Sequence, residues 1–489
     1  MTPSAVKGAV HRWATRPYEP SARQIPELNG LRVLLVFIVS WYHFWQQSWL
    51  TPSIGDYSLD FLVRAGYMPV DGTILLSGFL LFLPHARSMV LGEKVPELRT
   101  FYQRRVMRIV PSYYFITVLL LFVIALPGFW SLWGQGPAKS FDDRLIWIRE
   151  TYQDDVGAYV KDWMSRLPEA YGGDKSRMWE DVLRHLTFTQ TFDYDTYVAT
   201  PIGVASWTIA IEMQAYLIFP LLARFARKHP TGTFFVMADI ALAFRLLAIG
   251  NPDPTYGFNM VVNQLPNFLD VYAIGMAAAL IYVKLTARWP RDRRSQLIWQ
   301  GAATLIAIFA VYCLVQVLQA QAGMSGNLET QGGQMVRRPM LAVFLALLTL
   351  ALPFCLRPIR FLAGNRLMGF LAMVSMNYYL VHQNLAVILK QRLQLPDALH
   401  YPSPNQAVGG PEQPWADKYM AMCFGLSLLM AILITFLVEK PCAWLLKKAF
   451  GKLNAAWDKH FSRKAAITGP AGQTPDENES SSNIQRKKA

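Results

Sequence analysis

Apolar runs about as long as a bilayer is thick recur along this chain, at roughly 31–50, 68–88, 110–130, 202–224, 232–250, 265–284, 297–319, 340–356, 367–389 and 418–446. In hydrocarbon every backbone N–H and C=O must find its partner within the protein, so such runs fold as helices. The expected fold is all-α: a polytopic membrane helical bundle of about ten transmembrane helices. Charged residues make up 16% of the 489, against about a quarter in a soluble domain, and that deficit agrees with the runs. The eighth run is short, and Pro353 is expected to break its helix.

Lysine and arginine set the orientation. One set of connections holds Lys94, Arg99, Arg104, Arg105 and Arg108, then Arg227 and Lys228, then Arg288, Arg291, Arg293 and Arg294, then Arg357, Arg360 and Arg366. The short connections of the alternate set hold few: Arg64, Arg337 and Arg338 near a span boundary, and Arg392. An even number of spans with both termini cytoplasmic follows. The net charge of +14 is therefore read as topology and as contact with membrane lipids. No nucleic-acid partner is expected, because no basic segment outside the membrane is interleaved with stacking aromatics.

The chain divides into a cytoplasmic segment 1–30, a membrane domain 31–446 and a polar tail 447–489 expected to be disordered and cytoplasmic. The first apolar run is too long for a signal peptide's core and reads as a permanent span. A long extracytoplasmic loop, 131–201, is rich in Trp, Tyr, Asp and Arg, and loops of that length are usually functional. The four cysteines lie in or beside apolar runs without metal-ligand spacing, and read as small packing residues. No metal is expected.

Ionisable groups inside a span are costly and are functional candidates by default. In the first span Arg32 and His43 are eleven residues apart, which places them within roughly 20° of each other around a helix and roughly 16 Å apart along it. His43 is either a proton acceptor near neutral pH or an interfacial ring hydrogen-bonded to a neighbour. The second span carries Asp71 and a Ser77-Gly78 pair; small residues there can serve close helix approach. Arg104, Arg105 and Arg108 stand at the mouth of the third span, before Pro111, which either opens the span or breaks the helix. They suit either lipid headgroups or a phosphate clamp. The fourth span has Trp207, Glu212 and Tyr216, and Glu212 needs a partner, for which an arginine or His43 is expected. Asn377 and His382 fall in the ninth span, and Glu439, Lys440 and Pro441 end the last, where a salt bridge at the helix end is the plainest expectation.

Taken in order, these segments resemble the acyltransferase-3 family of bacterial membrane acyltransferases. Arg32 and His43 are similar to its Arg-X10-His signature. The stretch around Ser77-Gly78-Phe79 is similar to its Gly/Ser-Gly-Phe segment, with Thr73-Ile74 where phenylalanines are common. Arg104 to Pro111 resembles its arginine block, and Trp207 with Glu212 its Trp-x4-Glu block. His382 and Glu439 lie in segments similar to its late motifs.

The resemblance implies a cytoplasmic acyl-CoA co-substrate, usually acetyl-CoA, with no tightly bound cofactor, and an acceptor hydroxyl on a carbohydrate or glycolipid. The setting it implies is the bacterial inner membrane. It implies that His43 is catalytic and that Arg32, Arg104, Arg105 and Arg108, with Ser77 beside them, hold the donor. Glu212 or Asp71 would orient the imidazole or pair with an arginine, and Trp207, Tyr216, His382 and Glu439 would support the site. Some members carry a fused SGNH hydrolase-like domain; here a short tail follows the last span. The alternative class is a glycolipid or anion carrier, which also needs buried charge facing a cavity.

Overall fold

The computed structural model describes residues 18–135, 171, 173–197, 200, 202–252, 258–393 and 414–467. Its long helices are α1 (Glu27–Ser48), α2 (Val70–Leu91), α3 (Leu98–Gln135), α4 (Trp207–Lys228), α5 (Pro230–Gly250), α6 (Leu269–Ala287), α7 (Arg293–Ala322), α8 (Asn327–Ala351), α9 (Arg366–Arg392), α10 (Ala416–Ile434) and α11 (Lys440–Ile467). The only sheet among the described residues is a two-stranded hairpin, Ser53–Ile54 with Tyr57–Ser58. The all-α membrane bundle expected from the sequence is therefore the fold.

By length and composition, eight helical segments among the described residues can cross a bilayer. The third and ninth expected spans, α3 and α9, are long helices but are not among the eight. The first turns of α3 carry Arg99, Arg104, Arg105 and Arg108, and α9 carries Asn377 near its middle with His382, Gln383 and Asn384 beyond it.

Three expectations are corrected. Pro111 neither opens a span nor breaks one, since α3 runs through it from Leu98. The ring removes one backbone hydrogen bond, and the Tyr113 and Tyr114 hydroxyls tie the following turn to the carbonyls of His185 and Leu186 at 3.0 and 2.7 Å. The eighth helix is not short: α8 begins at Asn327, thirteen residues before the apolar run, and a 3-10 turn at Leu352–Phe354 ends it at Pro353 as expected. Nor is the tail irregular from 447. A single π turn, Thr435–Glu439, joins α10 to α11, which stays helical to Ile467. Ala, Leu and Lys are good helix formers, and neither Gly nor Pro intervenes between Lys452 and Ile467.

The bundle closes where side chains are smallest. The most extensive contact joins α2 and α6. A Cβ added at Gly78 would lie 2.9 Å from the carbonyl oxygen of Tyr272, and one at Gly275 would meet the backbone of Leu75. Without a hydrophobic drive between helices in lipid, such backbone approach supplies the packing. The Ser77-Gly78 pair thus takes the close-approach role read for it. α9 lies against α1 on one side and α10 on the other. Cys355 and Cys423 are buried free thiols, as expected of small apolar residues.

Two buried ion pairs brace the other side. Arg338 donates to Asp71 at 2.9 Å and to the carbonyl of Val262 at 2.8 Å. Arg245 grips both carboxylate oxygens of Asp270 at 2.7 Å and Asn267 at 2.6 Å. Residues 18–26 form a strap across the helix ends: the Tyr18 hydroxyl donates to the Pro353 carbonyl at 2.8 Å, Trp289 donates to the Tyr18 carbonyl at 2.8 Å, and Arg360 lies 3.3 Å from the Tyr18 ring centre.

Candidate active site

Four helices, α1, α2, α3 and α4, converge with α9 on a cavity of about 110 Å³, room for several waters. Arg32 enters from α1, Thr73 and Ser77 from α2, Arg105 and Arg108 from α3, Thr208, Glu212 and Tyr216 from α4, and Ser375 and Tyr379 from α9. Three guanidinium groups and one carboxylate leave an excess of two positive charges in a largely apolar wall. No carboxylate among the described residues lies within salt-bridge distance of Arg32, Arg105 or Arg108, and the buried Nε of Arg105 has no hydrogen-bond partner. Excess positive charge of this kind suits an anion. Planar guanidinium forks with unused donors match phosphate oxygens in particular.

The support of the arginines is local. Glu212 and Tyr216 stand one turn apart on α4, and the Tyr216 hydroxyl donates to Glu212 at 2.9 Å. The face of that tyrosine carries Arg105, whose Cζ is 5.3 Å from the ring centre and 5.6 Å from that of Phe101. The hydrogen-bond partner of Glu212 is therefore a tyrosine, where an arginine or His43 was expected. Arg104 points away from the cavity and is exposed. Arg105 and Arg108, three residues apart, share the cavity side of the helix.

His43 lies outside the lining of this cavity, farther along α1. Because α1 is unbroken from Glu27 to Ser48, the roughly 16 Å axial separation from Arg32 holds. The half-buried ring makes one hydrogen bond, from Nδ1 to Oε1 of Gln46 at 3.0 Å. Gln46 in turn donates to the Tyr42 hydroxyl at 2.8 Å. The ring of His382, fully buried on α9, has its centre 5.1 Å from that of His43. Tyr379 connects the two regions: it lines the arginine cavity, its ring is 5.3 Å from His382, and its carbonyl bonds His382 Nδ1 at 2.6 Å.

Other expected site residues fall elsewhere. Asp71 is not beside His43: it is wholly buried against Arg338, the arginine-pairing alternative rather than the imidazole-orienting one. Trp207 begins α4 and stacks on Phe268, with ring centres 6.2 Å apart; its neighbour Thr208 reaches the cavity. Glu439 makes no salt bridge among the described residues. It ends the π turn and accepts from Asn377 at 2.7 Å and Ser112 at 3.5 Å, while Lys440 lies over Phe436. Most of the loop 131–201 lies outside the described residues; its helix Lys175–Leu186 is capped by Asp174. Thr208, Ser375 and Tyr379 were missed, since a lone hydroxyl in an apolar run carries no spacing signal.

The acyltransferase domain Acyl_transf_3 matches residues 25–438, most of the chain and every residue of the cavity and the histidine pair. The chain belongs to the acyltransferase-3 family. Members of this family are membrane acyltransferases, and the eight membrane-capable helices make this one a multi-pass membrane protein. Among curated proteins it is similar to the O-acetyltransferase OatA of Staphylococcus aureus strains NCTC 8325 / PS 47, COL and MRSA252, each 26% identical over 235 residues. That alignment covers 46% of this chain and 30% of each relative, so the chain spans about a third of the length of the curated relatives it matches. No solved structure matches the chain.

Proposed function

We propose that this acyltransferase moves an acyl group, acetyl first among candidates, from cytoplasmic acyl-CoA to a hydroxyl of a carbohydrate or glycolipid acceptor at the bacterial inner membrane, and so modifies a cell-surface glycan. The observation that carries the reading is the cavity in which Arg32, Arg105 and Arg108 lack a salt-bridged carboxylate partner among the described residues, joined by one unbroken helix to His43. Coenzyme A is a polyphosphorylated donor with a long flexible arm. The arginines hold its phosphates, Glu212 and Tyr216 keep Arg105 in place, and the arm runs along α1 and α9 toward His43. The basic connections favour a cytoplasmic arginine end of the bundle, and in this reading that is where acyl-CoA is met. The O-acetyl transfer named for the staphylococcal relatives supports acetyl as the group carried. His43 then acts at the thioester, either as the base for the acceptor hydroxyl or as the atom that carries the acyl group.

The test is transfer of label from acetyl-labelled coenzyme A into lipid, glycan or protein of membrane vesicles bearing the protein. Wild type labels a product and His43→Ala at equal expression does not. Failure of wild type to bind or consume any member of an acyl-CoA panel overturns the reading in favour of a carrier.

A further inference from the structure

His382 is held as a reacting group is held, and the acyl-CoA reading above leaves it without a task. Its ring has no solvent exposure. Nδ1 sits 2.6 Å from the carbonyl oxygen of Tyr379. A carbonyl can only accept, so Nδ1 carries a proton, and in the neutral ring Nε2 holds the lone pair. That Nε2 is buried and has no hydrogen-bond partner among the described residues. Aromatic rings flank it: Tyr378 lies parallel at an interplanar angle of 2° with ring centres 6.1 Å apart, and Phe44 makes an edge-to-face contact at 6.0 Å. Buried acceptors left unpaired are expensive and uncommon, and here the open atom belongs to a ring whose centre is 5.1 Å from that of His43.

His43 has the same bias. With Gln46 Oε1 accepting from Nδ1 at 3.0 Å, its lone pair also lies on Nε2. Two neutral imidazoles 5.1 Å apart, joined by no hydrogen bond among the described residues, each offer a base. A single base suffices to take one proton from a hydroxyl, so the second has other work.

We propose that the two histidines divide the reaction: His43 takes the acyl group from the donor, and His382 takes the proton of the acceptor hydroxyl. This rests on the acyl-CoA reading. Nε2 of His43 adds to the thioester carbon, the C–S bond breaks and coenzyme A leaves as its thiolate, while Nδ1 keeps its proton on Gln46. The hydroxyl oxygen then adds to the acyl carbon as its proton passes to Nε2 of His382. The C–N bond breaks with its electron pair returning to His43. The proton on His382 finally neutralises the thiolate, so thioester and alcohol become ester and thiol. His382 is thus a general base and His43 a nucleophile.

Exchange separates the two steps. Vesicles are incubated with acetyl-CoA and radiolabelled free coenzyme A, and label entering acetyl-CoA is measured beside transfer of acetyl label to endogenous membrane acceptors. Wild type is expected to do both. His382→Gln, whose amide can still reach the Tyr379 carbonyl, is expected to keep exchange within about threefold and to lose transfer by about 100-fold or more, the lower end of what a general base supplies. His43→Gln loses both. Wild type that transfers without exchanging overturns the division and leaves the acyltransferase intact. So does unchanged transfer in His382→Gln. His382→Asn serves as a second variant, and loss of exchange in both variants makes His382 a packing support for His43 and overturns the proposal. Wild type that does neither overturns the donor reading with it.

Discussion

At the scale of single residues, the arginine block resolves into unequal members. Arg105 and Arg108 face the cavity and Arg104 faces out. A charged hydrogen bond to phosphate is worth about 1.5–3 kcal/mol. Arg105→Ala is therefore expected to raise KM for acetyl-CoA by about 10- to 100-fold, and Arg104→Ala by less than about threefold, in initial-rate measurements. Asp71 behaves differently. Its removal leaves Arg338 buried without its partner, a cost of about 3–5 kcal/mol, so Asp71→Ala should lower the amount of folded protein in the membrane. Replacing both with apolar residues of similar volume should restore that amount, with KM for the donor near wild type throughout. Recovery of abundance without recovery of transfer would give Asp71 a part in the chemistry.

The charged residues of the cavity and the histidine beyond it were legible because they sit in short motifs whose spacing survives on a helix: Arg32 with His43 on α1, Arg105 and Arg108 on α3, Glu212 and Tyr216 on α4. Their partners across the bundle were not. Asp71 and Arg338 are separated by 267 positions, and nothing in local periodicity ties two such residues together. Arg338 itself read as a boundary charge of a loop, because the eighth apolar run begins after it, whereas α8 starts eleven residues before it and buries it completely. The proximity of His382 to His43 is likewise a product of packing: each helix showed its own histidine, and only the contact of α1 with α9 brings the rings together.

At the scale of elements, α2 and α6 meet backbone to backbone, and the glycines at the contact have little tolerance. A methyl group at Gly78 or Gly275 would overlap main-chain atoms of the opposite helix, which cannot swing aside as a side chain would. Gly275→Ala is expected to destabilise by about 1–3 kcal/mol, the usual cost of overpacking, seen as a lower midpoint in thermal inactivation in detergent. Gly425, on α10, has open space around it, and Gly425→Ala should leave that midpoint unchanged or raise it slightly. The α2–α6 contact also bears on the site, because Ser77 on the same turn lines the arginine cavity. The ten expected spans coincide with the long helices up to α10, while their ends were set by features a hydropathy count ignores, such as the polar first turns of α8.

At the scale of the whole molecule, charge is distributed by task. The pairs Arg338–Asp71 and Arg245–Asp270 are internally neutral and brace the bundle, while the cavity keeps an excess of two positive charges. The proposed donor should therefore be gripped by its phosphates: acetyl-pantetheine, which has none, is expected to show a KM at least 10-fold above that of acetyl-CoA with a similar maximal rate, and rising ionic strength should weaken only the latter.

The unbroken course of α1 makes the first helix a phase-locked connection between Arg32 and His43. One residue inserted between them turns His43 by about 100° and lifts it about 1.5 Å, away from His382. Four inserted residues bring it back to within about 40° of its bearing but about 6 Å farther off. An insertion series across positions 34–40 should thus lose transfer at one residue and regain a fraction of it only near whole turns, the signature of a rigid spacer whose twist and length both count.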